Sequence, residues 1–353
     1  MNSTHRLQLW ATAAAEAQAS DVFLSEGEPP RVRIDGTVRP IDDAENVTRE
    51  ELEALWVLCQ GIQPTSPHDL DAHWDTGGWR YRVNLHRHLG KLGAALRIIQ
   101  TKIPSMASLG LPVWLLESWI RRPHGLILVT GPTGCGKSTS VASMLESMNG
   151  WLEGHIITIE EPIEYLFSSK TSIFTQREIP EDVPNYATGL RSALRQSPDV
   201  IFMGEIRDFE SARIAVQAAE TGHLVVSTMH ASTVVETMER LTHLMPTDER
   251  RGVLSLLATQ LVGVLTQKLL PGIGAGRHLV TEYFQNGGAT RDWIQDMDYD
   301  RLADFIATGQ IKECCDFRAS LIDAWRSGAV SKETVLNTAA NPQEIERLMR
   351  GVS

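Results

Sequence analysis

The stretch Val129-Thr130-Gly131-Pro132-Thr133-Gly134-Cys135-Gly136-Lys137-Ser138-Thr139 constrains this chain more than any other. The apolar run Leu126-Ile127-Leu128-Val129 reads as a buried strand, and Ser140-Val141-Ala142-Ser143-Met144-Leu145 reads as the start of a helix. Residues 131–138 fit the spacing glycine, four residues, glycine, lysine, serine or threonine, in the strand–loop–helix setting that motif requires. The chemistry is anion capture. Gly131, Gly134 and Gly136 let the backbone curl until its N–H groups face inward, and the following helix adds the positive end of its dipole. Lys137 then reaches the terminal phosphates of a nucleoside triphosphate, and Ser138 offers a hydroxyl to Mg²⁺. Pro132, Thr133, Cys135 and Thr139 complete the expected loop.

A chain of 353 residues predicts two to three domains. With 42% hydrophobic and 22% charged residues it has a soluble globular composition, and its net charge of −11 argues against a protein that coats nucleic acid. Residues 248–270 are predicted as one long helix with acids in its first turn and Pro271 as its stop. Ser255, Thr259, Gln260, Thr266, Gln267 and Lys268 interrupt its apolar part, so a buried amphipathic helix is expected, not a membrane span. No secretory signal is expected, for no basic region precedes an apolar core at the start. Cys59, Cys135, Cys314 and Cys315 lack C-x-x-C spacing, which points to a reduced compartment, without disulfides or zinc.

The first hundred residues read as a small α/β module. Residues 7–20 are expected to be helical, and 21–24, 31–34, 79–85 and 93–99 to be strands, with turns at Glu28-Pro29-Pro30 and Asp35-Gly36. Thr48 with Glu51 forms a capping-box signature for a helix running to Leu58. Residues 104–123 read as a connecting segment with one short helix. Strands then alternate with helices, at 126–130, 156–159, 200–203 and 224–228, which implies a mostly parallel sheet with covered faces. A flexible turn is expected at 272–276, a last strand at 279–284, and short helices from about 289 to 349.

Three further elements carry chemistry. Glu160, Glu161 and Glu164 follow an apolar strand, the end at which ligands sit in α/β sheets, where a carboxylate can orient water or hold a metal. Residues 199–208 form a second apolar strand ending in acid; Gly204 stands where many phosphate-loop proteins carry aspartate, leaving Glu205, either as the acid or in a surface pair with Arg207. His223 and His230 bracket a third strand, where either can be packing or a γ-phosphate sensor.

In this order the elements resemble the secretion-type hexameric ATPases, and within them the PilT-like retraction motors of type IV pili. Residues 20–24, Pro29-Pro30 and 33–36 resemble that family's N-terminal PAS-like domain, and Arg80-Tyr81-Arg82-Val83-Asn84 its arginine strand. Residues 160–164 resemble its acidic box, 199–208 its atypical Walker B strand, 221–230 its histidine box, and Ala289-Thr290-Arg291-Asp292-Trp293-Ile294 its C-terminal retraction motif.

The resemblance implies an α/β chain with a PAS-like domain at 1–103, a linker at 104–123, a RecA-like phosphate-loop ATPase core at 124–286 and a helical region at 287–353. It implies ATP as substrate and Mg²⁺ held by Ser138 and Glu205, with Glu164 as general base, His230 reading the γ-phosphate and His223 nearby. Arg191 and Arg195 match phosphate-sensing arginines, and Arg82 and Arg97 would add charge from the N-terminal domain when it closes over the nucleotide. The implied assembly is a cytoplasmic homohexamer at the inner face of the cytoplasmic membrane. It would reach the membrane only through an inner-membrane pilus platform protein, bind no nucleic acid, and drive pilus retraction and twitching motility. Glu161 stands where the family carries aspartate, Phe23 where it often carries histidine, and Thr290, Trp293 and Gln295 depart from the retraction motif. An accessory retraction motor, a type II or IV secretion ATPase and a nucleotide switch that scarcely hydrolyses remain alternatives.

Overall fold

The computed structural model describes residues 3–34, 36–60, 69–274, 276–309 and 311–350. Asp35 of the expected 35–36 turn and Ala275 of the 272–276 turn lie outside the described residues. The chain divides into two compact units, Met1–Thr101 and Lys102–Ser353.

The first unit opens with helix α1 (Ser3–Glu16) and strands β1 (Asp21–Ser25), β2 (Arg31–Ile34) and β3 (Thr37–Pro40), followed by α2 (Arg49–Gln60), β4 (Leu70–Thr76), β5 (Trp79–His88) and β6 (Lys91–Ile98). The strands form one antiparallel sheet in the order β3-β2-β1-β6-β5-β4. Strand β5 shows why. Tyr81, Val83 and Leu85 are fully buried, while the intervening Arg80, Arg82 and Asn84 are half-buried on the other face. Helices α1 and α2 pack on each other and on this sheet, with Leu7, Trp56 and Leu55 in a common core. The Thr48–Glu51 capping box forms reciprocally: the Glu51 N–H donates to Thr48 Oγ1 at 3.3 Å, and the Thr48 N–H to Glu51 Oε2 at 2.8 Å. Strands β3 and β4 were not signalled by the sequence. The first is exposed throughout; the second does alternate, with Leu70, Ala72 and Trp74 between Asp71, His73 and Asp75, but only Trp74 of its apolar residues is buried.

The second unit runs through α3 (Val113–Ile120), β7 (Gly125–Thr130), α4 (Lys137–Asn149), β8 (His155–Glu160), β9 (Ile173–Glu178), α5 (Tyr186–Ala193), β10 (Val200–Met203), α6 (Phe209–Glu220), β11 (Leu224–Met229), α7 (Val234–Leu244), α8 (Thr247–Gln260), β12 (Leu261–Pro271) and β13 (Arg277–Gln285). It closes with α9 (Thr290–Asp296), α10 (Tyr299–Thr308), the two-residue β14 (Cys314–Cys315), α11 (Phe317–Arg326), α12 (Lys332–Thr338) and α13 (Pro342–Met349). The sheet order is β14-β13-β12-β7-β11-β10-β8-β9, parallel from β12 to β9 and antiparallel at β13 and β14. Strand β7 is buried on both sides: Leu126 and Leu128 join one core and Ile127 and Val129 the other. That double burial makes it a continuous apolar run.

One expectation is corrected. Residues 248–270 are not one helix; α8 stops at Gln260 and β12 begins at Leu261, beside β7. The β-branched Val262 and Val264 favour a strand, and Gly263 admits no side chain: a Cβ there would lie 2.4 Å from Trp119 and 2.6 Å from the Phe284 carbonyl oxygen. The short helix expected within residues 104–123 is α3, with Leu115, Leu116, Trp119 and Ile120 in the core of the second unit.

Candidate active site

The C-terminal ends of β7, β8, β10 and β11 meet at one cavity of about 410 Å³. Parallel strands place their connecting loops there, and helix N-termini point at the same place. Along its edge run the loop after β7 and the first turn of α4. Gly131, Gly134 and Gly136 have φ of 144°, 77° and 89°, and a Cβ on Gly131 would lie 2.4 Å from the Gln267 carbonyl oxygen. No side chain caps α4, so its first N–H groups are left for an anion. Thr133, Gly134, Gly136, Lys137, Ser138 and Thr139 line the cavity. Of the remaining predicted loop residues, Cys135 is buried behind the loop, its thiol pushed up by burial, and Pro132 contributes its carbonyl.

Lys137 folds back on this loop. Its ammonium donates to the carbonyl oxygens of Gly131 at 2.8 Å and Pro132 at 3.2 Å, and its Nζ stands 3.4 Å from His230 Nδ1. Burial lowers the lysine pKa, opposed by Cys135, Glu205 and Glu164. Burial first, and then Lys137, also hold the His230 imidazole below its ordinary value. A neutral ring can accept the ammonium proton at Nδ1, and its Nε2 lies 3.4 Å from Glu205 Oε1.

The acidic residues occupy three settings. Glu164 is exposed and lines the cavity. Glu205 follows β10 and accepts from Arg207 Nε at 2.9 Å, so the short-range pair expected from sequence forms within the site. Arg207 also donates to Glu161 and stands over the Tyr186 ring. Glu161 therefore joins that ion-pair group, the position at which the chain departs from aspartate. Glu160 is buried, and desolvation pushes its carboxyl up to about 7 despite hydrogen bonds from Thr158 and Gln176. Gly204 has a local cause too: a Cβ there would lie 2.8 Å from the Tyr186 hydroxyl.

Other predicted residues lie elsewhere. His223 sits at the opposite end of β11 from His230, bonded to the Ala218 carbonyl at 3.1 Å, and does not line the cavity. A six-residue strand spans roughly 20 Å, so pairing the two histidines in one site is corrected. Arg191 is exposed and pairs with Glu210, and Arg195 donates to the Arg191 carbonyl at 2.9 Å; neither lines this cavity. Arg82 and Arg97 face each other across β5 and β6 of the first unit, where Arg97 Nε donates to Asp21 at 3.0 Å. Sequence reasoning missed Tyr165, Tyr186, Arg207 and Arg277 as lining residues. Only Arg207 carried a signal, two positions after Glu205.

A family model described as a type II/IV secretion system protein matches residues 94–298. The chain belongs to this type II/IV secretion system protein family. Similarity to individual members runs nearly end to end. The chain is 36% identical to the type IV pilus retraction ATPase PilT of Pseudomonas aeruginosa over 94% of its own length and 97% of that relative. It is 32% identical to the type IV pilus ATPase PilU of the same organism, over 95% of the chain and 89% of PilU. A crystal structure of the pilus retraction motor PilT with bound ADP superposes with a TM-score of 0.86 at 36% identity, covering 96% of this chain and 98% of that one. The match spans both sheets of the fold, as well as the phosphate-loop segment typical of the secretion family.

Proposed function

We propose that this chain is an ATP-hydrolysing motor of type IV pilus retraction, working as a homohexamer on an inner-membrane platform protein at the cytoplasmic face. The observation that carries the proposal is the single cavity in which a phosphate loop meets Glu164, Glu205 and His230. Similarity to PilT over nearly the whole chain, at higher identity than to PilU, supports retraction as the task. Among the described residues no helix is long and apolar enough to cross a membrane, which fits docking through a protein partner.

In the proposed mechanism Lys137 leaves the Gly131 and Pro132 carbonyls for β- and γ-phosphate oxygens of ATP. The departing hydrogen bonds are internal to the loop, so its N–H groups remain aimed at the phosphates. Ser138 and Glu205 are hard oxygen donors on one cavity wall and fit Mg²⁺, which takes few protein ligands and completes its shell with water and phosphate. Bound there, the ion would neutralise charge developing on the phosphates. Glu164 accepts the proton of the attacking water, and His230 donates to the γ-phosphate. Arg207 pairs with both Glu205 and Glu161. In the hexamer Arg191 and Arg195 would act on a neighbouring subunit's nucleotide, and Arg82 and Arg97 would supply charge from the N-terminal unit.

Purified protein is expected to release phosphate from ATP with Mg²⁺ present and to lose at least about 100-fold of that rate in excess EDTA. A rate indifferent to EDTA would remove the metal from the account. No phosphate release under either condition would remove the motor and leave a nucleotide-binding switch.

A further inference from the structure

The segment that carries Glu164 is an unusual connection. Strands β8 and β9 are parallel neighbours, yet residues 161–172 join them with no helix between. An irregular crossover has no ladder of its own to satisfy its backbone, so side chains must supply the partners. Gln176, in β9, supplies two of them. Its Oε1 accepts the Phe167 N–H at 2.9 Å, and its Nε2 donates to the Tyr165 carbonyl at 2.8 Å and to Glu160 Oε1 at 3.3 Å. The three contacts are mutually consistent with one orientation of the amide: the acceptor meets an N–H, and the donor meets two oxygens. Around this clamp, Phe167 stacks on Phe174 with ring centroids 4.4 Å apart, and the Tyr165 hydroxyl bonds Thr139 of α4 at 2.9 Å. The loop is thereby fixed to β9 through Tyr165 and Phe167 and to the phosphate-loop helix through the Tyr165 hydroxyl, with Glu164 immediately before Tyr165. Gln176 does not line the cavity.

We infer that Gln176 is a positioning residue for hydrolysis: its amide clamps the 161–167 loop so that the Glu164 carboxylate is held at the water that attacks the γ-phosphate. The inference rests on the proposed role of Glu164 as general base. The clamp touches the carbonyl and N–H on either side of Leu166, close enough in sequence for its loss to move Glu164 without disturbing Lys137 or Ser138. Misplacing a catalytic group by about 1 Å costs on the order of 100-fold in rate, so the clamp's effect falls on turnover and not on nucleotide affinity.

The test is a double-mutant cycle on the full chain with Gln176→Leu, Glu164→Gln and both together, reading kcat, KM for ATP, ADP affinity and melting temperature. Gln176→Leu is expected to lower kcat by about 30- to 100-fold, with KM and ADP affinity near native values and a melting temperature lowered by a few degrees as its partners lose their hydrogen bonds. In the Glu164→Gln background the same change is expected to add less than about threefold, because its route is already gone. If Gln176→Leu lowers ADP affinity along with kcat, its role is structural and the inference falls. An equal further loss in the Glu164→Gln background would also overturn the inference and leave Glu164 as the base. Full turnover by Glu164→Gln alone would overturn the general-base reading itself, and the inference with it. Gln176→Glu supplies a second variant of nearly equal volume: it keeps the acceptor for the Phe167 N–H but loses the donor, and is expected to lose most of the same turnover.

Discussion

Lys137→Ala is expected to abolish hydrolysis, with kcat/KM for ATP falling by at least about 1,000-fold, or about 4 kcal/mol of transition-state stabilisation. The reason lies in how the fold holds the ammonium. It is half-buried and held by two loop carbonyls, and burial lowers its pKa, so the fold keeps a charge where it is costly. A phosphate-bearing ligand is what offsets that cost. A charge-assisted hydrogen bond contributes about 1.5–3 kcal/mol, so ADP affinity should also drop by more than tenfold. Stability should change little, since the two carbonyls can turn to water. Titration of a fluorescent ADP analogue, beside a phosphate-release assay and a thermal melt, separates these effects. Native ADP affinity in a well-folded Lys137→Ala protein would mean that the nucleotide binds elsewhere.

Glu164→Gln has the second-largest effect, and a different signature. The substitution keeps shape and removes the proposed base, and Glu164 is exposed at the cavity, so folding and binding should depend little on its charge. General-base catalysis contributes about 10²–10⁴-fold; kcat is expected to fall about 1,000-fold while KM and ADP affinity stay within about threefold. The other carboxylates are poorly suited to the task. Glu160 is buried and donated to by Thr158 and Gln176, and Glu161 and Glu205 are both held by Arg207. A kcat reduced less than threefold would assign the base to one of them, and the same kinetics on Glu160→Gln, Glu161→Gln and Glu205→Gln would show which.

The parts of the site that could be read from sequence were those whose chemistry fixes residue type and spacing at once. The phosphate loop is such a case, because positive φ demands glycine at 131, 134 and 136 and the lysine must follow at the helix start. The strand β7 was legible for the same reason, being buried on both faces. Strand β12 shows the limit. It is also buried on both faces, so it has no alternation, and only Thr259 and Gln260 separate it from the apolar part of α8. Its one discriminating signal was Gly263, which is costly inside a helix and here makes room for Trp119. His223 and His230 stand at opposite ends of one strand, and its rise per residue already separates them by more than one site can span. Gln176 and Tyr165 carried no signal, since an amide or phenol that fastens a loop can stand at any spacing. Arg82 and Arg97 were legible as strand arginines, and the structure gives them cross-strand partners within their own unit.

The central claim is that nucleotide chemistry at the 131–139 loop drives pilus retraction. The most direct measurement is the number of surface pili on host cells whose only copy of this chain carries Lys137→Ala, set beside cells lacking the chain and cells with the native one. Excess pili and lost surface motility in both altered strains are the predicted result. Bald cells would make the chain an assembly motor, and native pilus numbers with native motility in both strains would contradict a retraction role.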